Sequence, residues 1–111
     1  MARFRDVITR TPGIKSRTFT EGEQEYADRA KDPSERYAVR WAAKEAVMKA
    51  MGAGLGVISM VDIEVVRDES GEPSIVLHKS AAQYAAELGV SEIKITLTHT
   101  ESLAQAFAVA L

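Results

Sequence analysis

The chain has 111 residues, of which 46% are hydrophobic and 27% charged, a composition typical of a globular domain and not of a disordered one. Its net charge of −2 gives no global positive field for nucleic acid or an anionic membrane. The absence of cysteine excludes disulfide scaffolds, thiolate zinc sites and cysteine nucleophiles. We find neither an apolar run of about 18 residues nor a signal peptide, and we expect a cytoplasmic protein with one domain over residues 1–111.

The N-terminal segment concentrates positive charge. Residues 1–17 contain only one acid, Asp6, and five basic residues: Arg3, Arg5, Arg10, Lys15 and Arg17. This pattern is typical either of a solvated face or of a docking surface for an acidic partner. Helical spacing of apolar residues predicts a helix over Arg3–Thr11, which Pro12 and Gly13 would end.

Two start signals predict the next helices. The sequence Thr20–Glu23 is a capping box and predicts a short helix to about Arg29. Asp32 as N-cap and the proline after it predict a long helix over about Pro33–Met51. The glycines that would end this helix are Gly52 and Gly54.

The second half of the chain is mainly β-structure. Alternating and β-branched residues predict strands, and an alanine-rich segment closed by Gly89 predicts one helix. Leu103–Leu111 alternates alanine with larger apolar residues, so we expect it to be buried on both faces. The fold class predicted from this order is α+β. The other predicted segments are the strands Asp62–Arg67, Ser74–Leu77 and Glu92–His99, the helix Ser80–Leu88 and the turn Thr100–Ser102.

The long helix contains a candidate site. At about 100° per residue, Glu45 and Lys49 share a stripe with Trp41 and alanines, away from Arg40 and Lys44. One interpretation is an ordinary i,i+4 ion pair on a helix surface. The other is a carboxylate that holds a hard cation beside an ammonium that contacts phosphate. The glycines that follow would let a ligand approach the backbone closely.

His99 is the second candidate, because it lies at a strand end next to a turn, between Thr98 and Thr100. A single histidine in this position is often a hydrogen-bonded structural residue. Its alternative role is to contact a phosphate or to assist proton transfer. The two histidines of the chain have no zinc-ligand spacing.

Four segments resemble one family. Residues 41–49 (WAAKEAVMK) are similar to the signature helix of the small-type 4′-phosphopantetheinyl transferases, the holo-acyl-carrier-protein synthase family. Further similarity lies, in the same order as in that family, at residues 17–23 (RTFTEGE), 62–65 with 71–73 (DIEV, GEP) and 96–101 (TLTHTE). The resemblance implies an α+β fold with an antiparallel sheet packed on a long helix. It also implies a homotrimer with its active sites at subunit interfaces.

The resemblance further implies transfer of the phosphopantetheine arm of coenzyme A to a serine of an acyl carrier protein, with release of 3′,5′-ADP. Glu45 would be a Mg²⁺ ligand and a possible base, and Lys49 would contact the phosphates and the leaving group. Arg40 and His99 would hold the 3′-phosphate. The remaining residues expected to contact coenzyme A are Gly52, Gly54 and Thr100. The acidic carrier would dock on the basic residues Arg3, Arg10 and Arg17.

Two departures from the family pattern leave a second hypothesis open. The family begins with a strand whose aspartate is another metal ligand, and this sequence starts after the corresponding point. It is therefore N-terminally incomplete relative to the family, through a truncated or misplaced start or through natural degeneration. Glu72 stands where the family often has a basic residue before the proline. The alternative to an active transferase is therefore a catalytically impaired or non-catalytic domain that binds the carrier protein.

Overall fold

The computed structural model describes residues 13–54, 56–99 and 104–111. In chain order, its elements are α1 (Ile14–Thr18), α2 (Glu21–Asp28), α3 (Pro33–Ala50), a 3₁₀ turn (Met60–Asp62), β1 (Ile63–Arg67), β2 (Pro73–Leu77), α4 (Lys79–Leu88), β3 (Ile93–His99) and β4 (Ala104–Ala110). The predicted α+β class is confirmed. The helix predicted over Arg3–Thr11 and the turn predicted over Thr100–Ser102 lie outside the described residues.

The helix starts follow the local chemistry of the sequence. At α2, the Glu23 amide donates to Thr20 Oγ1 (3.1 Å) and the Thr20 amide donates back to Glu23 Oε1 (2.9 Å), so the capping box is complete. At α3, Asp32 accepts from the Ser34 amide at 3.2 Å, and the proline occupies the first turn. Gly52, with a φ of 68°, follows the end of α3 in the left-handed conformation that glycine adopts without steric cost. The short helix α1 was not predicted.

The strands form two antiparallel hairpins rather than one continuous sheet. In the first, Ile63 of β1 lies opposite Leu77 of β2, and in the second Ile93 of β3 lies opposite Ala110 of β4. Strands β2 and β3 pack side by side, and α3 packs against β1, β3 and most extensively β4. The long helix is therefore the element on which the hairpins assemble. None of the described helices has the length and apolar composition needed to cross a membrane.

The core consists of two clusters of buried side chains, one along the first half of α3 and one at its end. The larger joins the end of α3 to β1 and α4 and contains Val47, Met48, Met51, Ile58, Ile63, Ala81 and Ala85. The smaller contains Phe19, Ala27 and Tyr37, with Trp41 packed against it. The rings of Phe19 and Tyr37 meet edge to face, with centroids 4.8 Å apart. Burial of such apolar surface is the main force that holds the helices in place.

The prediction that the last strand is buried on both faces was wrong for the chain by itself. Successive side chains of a strand point to opposite faces, and in β4 the alanines are half-buried while the larger side chains point outward. Phe107 is 74% exposed, Val109 45% and Leu111 54%. One face of the β3–β4 hairpin packs on the body of the protein, and the other carries an apolar strip, defined here as Phe107, Val109 and Leu111.

Candidate functional site

A cavity of about 390 Å³ lies between the middle of α3 and β4, and it contains the two residues singled out on the long helix. Glu45 and Lys49 line it from α3, together with Ala42 and Ala46, whose small side chains leave the space open. Residues 104–107 of β4 complete the lining. We call this recess the Glu45 cavity. The helical spacing of Glu45 and Lys49 therefore places a carboxylate and an ammonium on one wall of this cavity.

The carboxylate and the ammonium do not neutralise each other. Glu45 is half-buried and Lys49 is exposed. Across the described ranges, no ion pair of 4.0 Å or less joins the two side chains. A simple i,i+4 surface pair is thus not the arrangement found, and both charged ends face a space that a ligand could occupy.

The donor set of the Glu45 cavity suits a hard cation when the ligand supplies further oxygens. Glu45 offers a carboxylate from α3. In the part of the chain that the structure describes, no group of three His, Cys, Asp or Glu side chains could hold a metal by itself. Mg²⁺ usually takes one or two carboxylates plus phosphate oxygens. The residues present therefore fit Mg²⁺ together with a phosphate-bearing ligand.

Arg40 faces a different cavity, of about 240 Å³. Its guanidinium lies 4.3 Å from the centroid of the Tyr26 ring, and those of Arg36 and Arg67 lie 4.2 and 5.7 Å from it. Glu35 is the acidic residue on this lining. The structure therefore does not bring Arg40 into the Glu45 cavity of the same chain. It gives Arg40 two arginine neighbours that the sequence analysis did not predict.

We call the cavity lined by Arg36, Arg40 and Arg67 the arginine cavity, and its concentration of positive charge favours an anion. Arg40 is only 2% exposed, and its Nε atom is buried without a hydrogen-bond partner among the described residues. Burial, followed by repulsion from Arg67, holds the pKa of the Arg40 guanidinium below its usual value. Arg36 and Arg67, which are less buried, lie closer to the solvent. An anion in this cavity would offset the crowding of positive charge.

The other predicted contacts lie at the end of α3 and at the end of β3. A Cβ atom at Gly52 or Gly54 would meet no described atom within 4 Å, so there is room for a ligand beside this backbone. His99 ends β3, and its backbone lies opposite Ala104, which lines the Glu45 cavity. Thr100 lies outside the described residues.

Only part of the basic N-terminal segment lies within the described residues. Arg17 is exposed on α1, whereas Arg3 and Arg10 lie outside the described residues. Lys15, also on α1, lies 3.6 Å from Asp28, so part of its charge is already compensated. Arg17 is accordingly the described residue of this segment that is best placed to contact an acidic partner.

One buried charge was missed by the sequence analysis. Lys44, the residue before Glu45, is completely buried, and its Nζ lies 2.8 Å from Oε1 of Glu23. The signal was available: Tyr37, Arg40, Lys44 and Val47 recur at the spacing of one helix face, and two of them are large and apolar. That face was expected to be a separate charged stripe, but it points into the protein.

A second polar network joins α2 to the first hairpin. Glu64 accepts from Thr20 Oγ1 at 2.9 Å, and its other oxygen lies 2.8 Å from Nε2 of His78. Burial raises the pKa of the Glu64 carboxyl, but the hydrogen bonds from His78 and Thr20 outweigh burial and leave the pKa below its ordinary value. His78, which had no suggestive surroundings in the sequence, is therefore part of the packing between β1 and β2.

The chain is similar in sequence to proteins of known activity. Residues 1–110 match the family model described as the 4′-phosphopantetheinyl transferase superfamily. A holo-acyl-carrier-protein synthase of Moorella thermoacetica is 44% identical over 109 residues, which cover 98% of this chain and 85% of the relative.

Solved structures give the same likeness. A holo-acyl-carrier-protein synthase of Neisseria meningitidis superposes with a TM-score of 0.88 at 28% identity, covering 99% of this chain and 90% of that one. The Helicobacter pylori enzyme of this name, solved in complex with coenzyme A, superposes with a TM-score of 0.85 at 25% identity, covering 99% and 92%. The similarity thus spans the sequence and the fold together.

Proposed function

This chain belongs to the 4′-phosphopantetheinyl transferase superfamily, and we propose that it transfers the 4′-phosphopantetheine arm of coenzyme A to a serine of an apo acyl carrier protein. The products are the holo carrier protein and 3′,5′-ADP. The observation that carries the proposal is the pair of opposite charges, Glu45 and Lys49, that face one cavity without neutralising each other. We also propose that residues 1–111 form a single transferase domain.

The proposed reaction is a displacement at phosphorus. The serine oxygen forms a bond to the phosphorus atom that carries the pantetheine arm, and the bond from that phosphorus to the bridging oxygen of the pyrophosphate breaks. Glu45 accepts the hydroxyl proton, directly or through a water molecule. Lys49 contacts the phosphate oxygens and stabilises or protonates the departing 3′,5′-ADP. Catalysis of this kind depends mainly on positioning and on neutralising phosphate charge.

We propose that Glu45 also holds Mg²⁺. Its carboxylate and the phosphate oxygens of coenzyme A supply the donors that this ion prefers. When bound, the ion would supply further neutralisation of phosphate charge.

Arg40 is proposed to hold the 3′-phosphate of coenzyme A, and His99 and Thr100 are proposed to contribute further contacts to coenzyme A. The clustering of Arg36 and Arg67 with Arg40 in the arginine cavity supports an anionic ligand there. The further residues proposed to contact coenzyme A are Gly52 and Gly54, where the backbone has open space beside it.

The assembly is part of the proposal. The arginine cavity and the Glu45 cavity have no lining residue in common within the chain, and we propose a homotrimer in which the sites form between subunits. The apolar strip supports this, because exposed apolar patches of that kind mark interaction surfaces.

The carrier protein is proposed to dock on the basic residues Arg3, Arg10 and Arg17, since charge complementarity steers such encounters. A cytoplasmic location stays part of this proposal. It agrees with a chain that contains no cysteine and therefore needs no oxidising compartment.

The test is the intact mass of an apo acyl carrier protein after incubation with this chain, coenzyme A and Mg²⁺. We expect a mass gain of one phosphopantetheine arm that EDTA abolishes and that Glu45→Gln reduces by about 10²–10⁴-fold in rate. The matched control is Glu87→Gln, which makes the same change at an exposed position of α4. No gain with folded protein and a competent carrier would contradict the transferase. Carrier binding without product would favour the non-catalytic alternative.

A further inference from the structure

Lys44 has a complete set of partners inside the protein. Its ammonium contacts Oε1 of Glu23 at 2.8 Å and donates to the carbonyl oxygens of Met60, at 3.0 Å, and Ile63. An ammonium has three hydrogens to donate, so these three acceptors satisfy it without water. Both charged side chains are 0% exposed.

Glu23 extends this network to the rest of the fold. Its Oε1 also accepts from the Thr20 amide at 2.9 Å, and its Oε2 accepts from the Val65 amide at 2.9 Å. The Lys44–Glu23 pair therefore ties the first turn of α2, the middle of α3, the 3₁₀ turn and β1 to one point.

Stability alone does not account for such a pair. Removing two charges from water costs several kcal/mol per ion, so a buried ion pair is often no more stabilising than apolar residues of similar volume. What the pair adds is a defined orientation of the elements it joins, because hydrogen bonds require defined distances and angles whereas apolar contact does not.

Orientation matters on α3 because one side of the helix is loosely packed. Tyr37, Val47 and Met48 pack into the core, but Ala42 and Ala46, on the side of the Glu45 cavity, are small and leave open space, so little on that side opposes a small rotation of the helix about its axis. Lys44 is the residue on this helix whose polar atom is held by three fixed acceptors on other elements.

We propose that Lys44 is a positioning residue, whose bonds to Glu23, Met60 and Ile63 fix the rotation of α3 and so keep the adjacent Glu45 and, one turn later, Lys49 facing the Glu45 cavity. The effect on rate rests on the proposed transferase function, whereas the effect on helix orientation does not. A misplacement of catalytic groups by about 1 Å costs a reaction about 10²-fold in rate.

Trp41 provides a spectroscopic readout of this orientation. It is the only tryptophan of the chain, it lies on α3 one turn before Lys44, and it is half-buried against the cluster of Phe19, Ala27 and Tyr37. A rotation of α3 would change the exposure of its indole, and with it the emission maximum and the quenching by acrylamide.

The test is the double variant Lys44→Met/Glu23→Gln, which removes the pair without leaving an unpaired buried charge. Thermal unfolding establishes that it is folded, and all assays are run well below its midpoint. We expect changed Trp41 emission and quenching, and a kcat for carrier modification about 10²-fold lower with a much smaller change in KM for coenzyme A. The matched control is Lys31→Met/Glu21→Gln, the same charge change at exposed positions, which should behave as the wild type.

A folded double variant with wild-type emission and quenching would overturn the proposal. If the double variant does not fold, a chemical rescue decides. Because the chain has no cysteine, Lys44→Cys can be alkylated under denaturing conditions with 2-bromoethylamine, which restores an ammonium of nearly the original length, or with 2-iodoethanol, which places a hydroxyl there.

After refolding, we expect the ammonium form alone to recover the emission and transfer rate of wild-type protein taken through the same procedure. Equal recovery by the hydroxyl form, or recovery by neither, would overturn the proposal. If the wild type transfers nothing to any carrier, the proposed function fails, and the Trp41 comparison still tests the positioning role by itself.

Discussion

Nε2 of His78 lies 2.8 Å from Oε1 of Glu64, so the residue after β2 is tied to β1 through a carboxylate that also accepts from Thr20 on its other oxygen. Two hydrogen bonds to one mostly buried carboxylate stabilise its charged form. A smaller attraction comes from the ammonium of Lys44. The first prediction follows from this arrangement.

We expect Glu64→Gln to destabilise the protein by about 1 kcal/mol at neutral pH, since an amide cannot accept on both sides as a carboxylate does. The pKa of Glu64 is lower in the folded protein than in the unfolded chain, so its stabilisation is present above the unfolded value of about 4.3 and is lost as the pH falls through the lower folded value. Urea unfolding between neutral and acidic pH measures this, with the exposed Glu69→Gln as control. A difference in the free energy of unfolding between variant and wild type that stays constant into the acid range would contradict this prediction.

The second prediction concerns the buried pair. Lys44→Met leaves the Glu23 carboxylate buried without its counter-charge, and we expect a loss of about 3–5 kcal/mol. The double variant Lys44→Met/Glu23→Gln should be more stable than the single one, because no unpaired charge remains. Chemical unfolding of the four proteins of this double-mutant cycle measures the coupling. Strictly additive losses would mean that the two side chains do not depend on each other.

The local features of the fold were predictable because their causes are local. Thr20 with Glu23, and Asp32 with its following proline, place donors and acceptors within one helical turn, so the sequence alone indicated where α2 and α3 begin. The resemblance to the family, which membership now confirms, came from the motif at residues 41–49 on α3 and from further matching segments in the family's order.

The polar networks between elements were not predictable. Lys44 meets Glu23 and Glu64 meets His78 only after distant segments have packed, and nothing in either neighbourhood specifies the partner. Lysine is almost never fully buried unless it is paired, so the apolar residues on its helix face could indicate that Lys44 turns inward, but not which carboxylate it meets. The face of β4 was misjudged for a related reason: the alternation of alanine with larger residues indicates apolar faces, but not whether the same chain covers both.

The third prediction concerns the apolar strip on that face. If three copies assemble through it, the wild type should sediment as a trimer and Phe107→Asp as a monomer, because an unpaired charge at a buried position costs several kcal/mol per subunit. Analytical ultracentrifugation at micromolar concentration measures the mass. Leu88→Asp, at an exposed leucine of α4, is the control and should remain a trimer. A monomeric wild type, or a trimeric Phe107→Asp, would exclude this strip as the interface.

The last prediction separates the roles proposed for the arginine cavity and the Glu45 cavity. The guanidinium of Arg40 lies in a cavity with those of Arg36 and Arg67, apart from Glu45 and Lys49, so it should recognise one phosphate and leave the reacting one to Glu45 and Lys49. We expect Arg40→Met to raise KM for coenzyme A by at least about tenfold, the loss of one or two charge-assisted hydrogen bonds.

The matched substrate is dephospho-coenzyme A, which has no 3′-phosphate. With it, Arg40→Met and the wild type should have similar KM values, while Lys49→Met should lose rate with both substrates. Arg29→Met, at an exposed arginine paired with Glu25, is the protein control. If Arg40→Met raised KM equally for both substrates, the guanidinium would act through the packing of Tyr26 and α3 and not through the phosphate. A KM that rises for coenzyme A alone, with a rate loss in Lys49→Met for both substrates, would assign the arginine cavity to the nucleotide end of coenzyme A. It would assign the Glu45 cavity to the transfer itself.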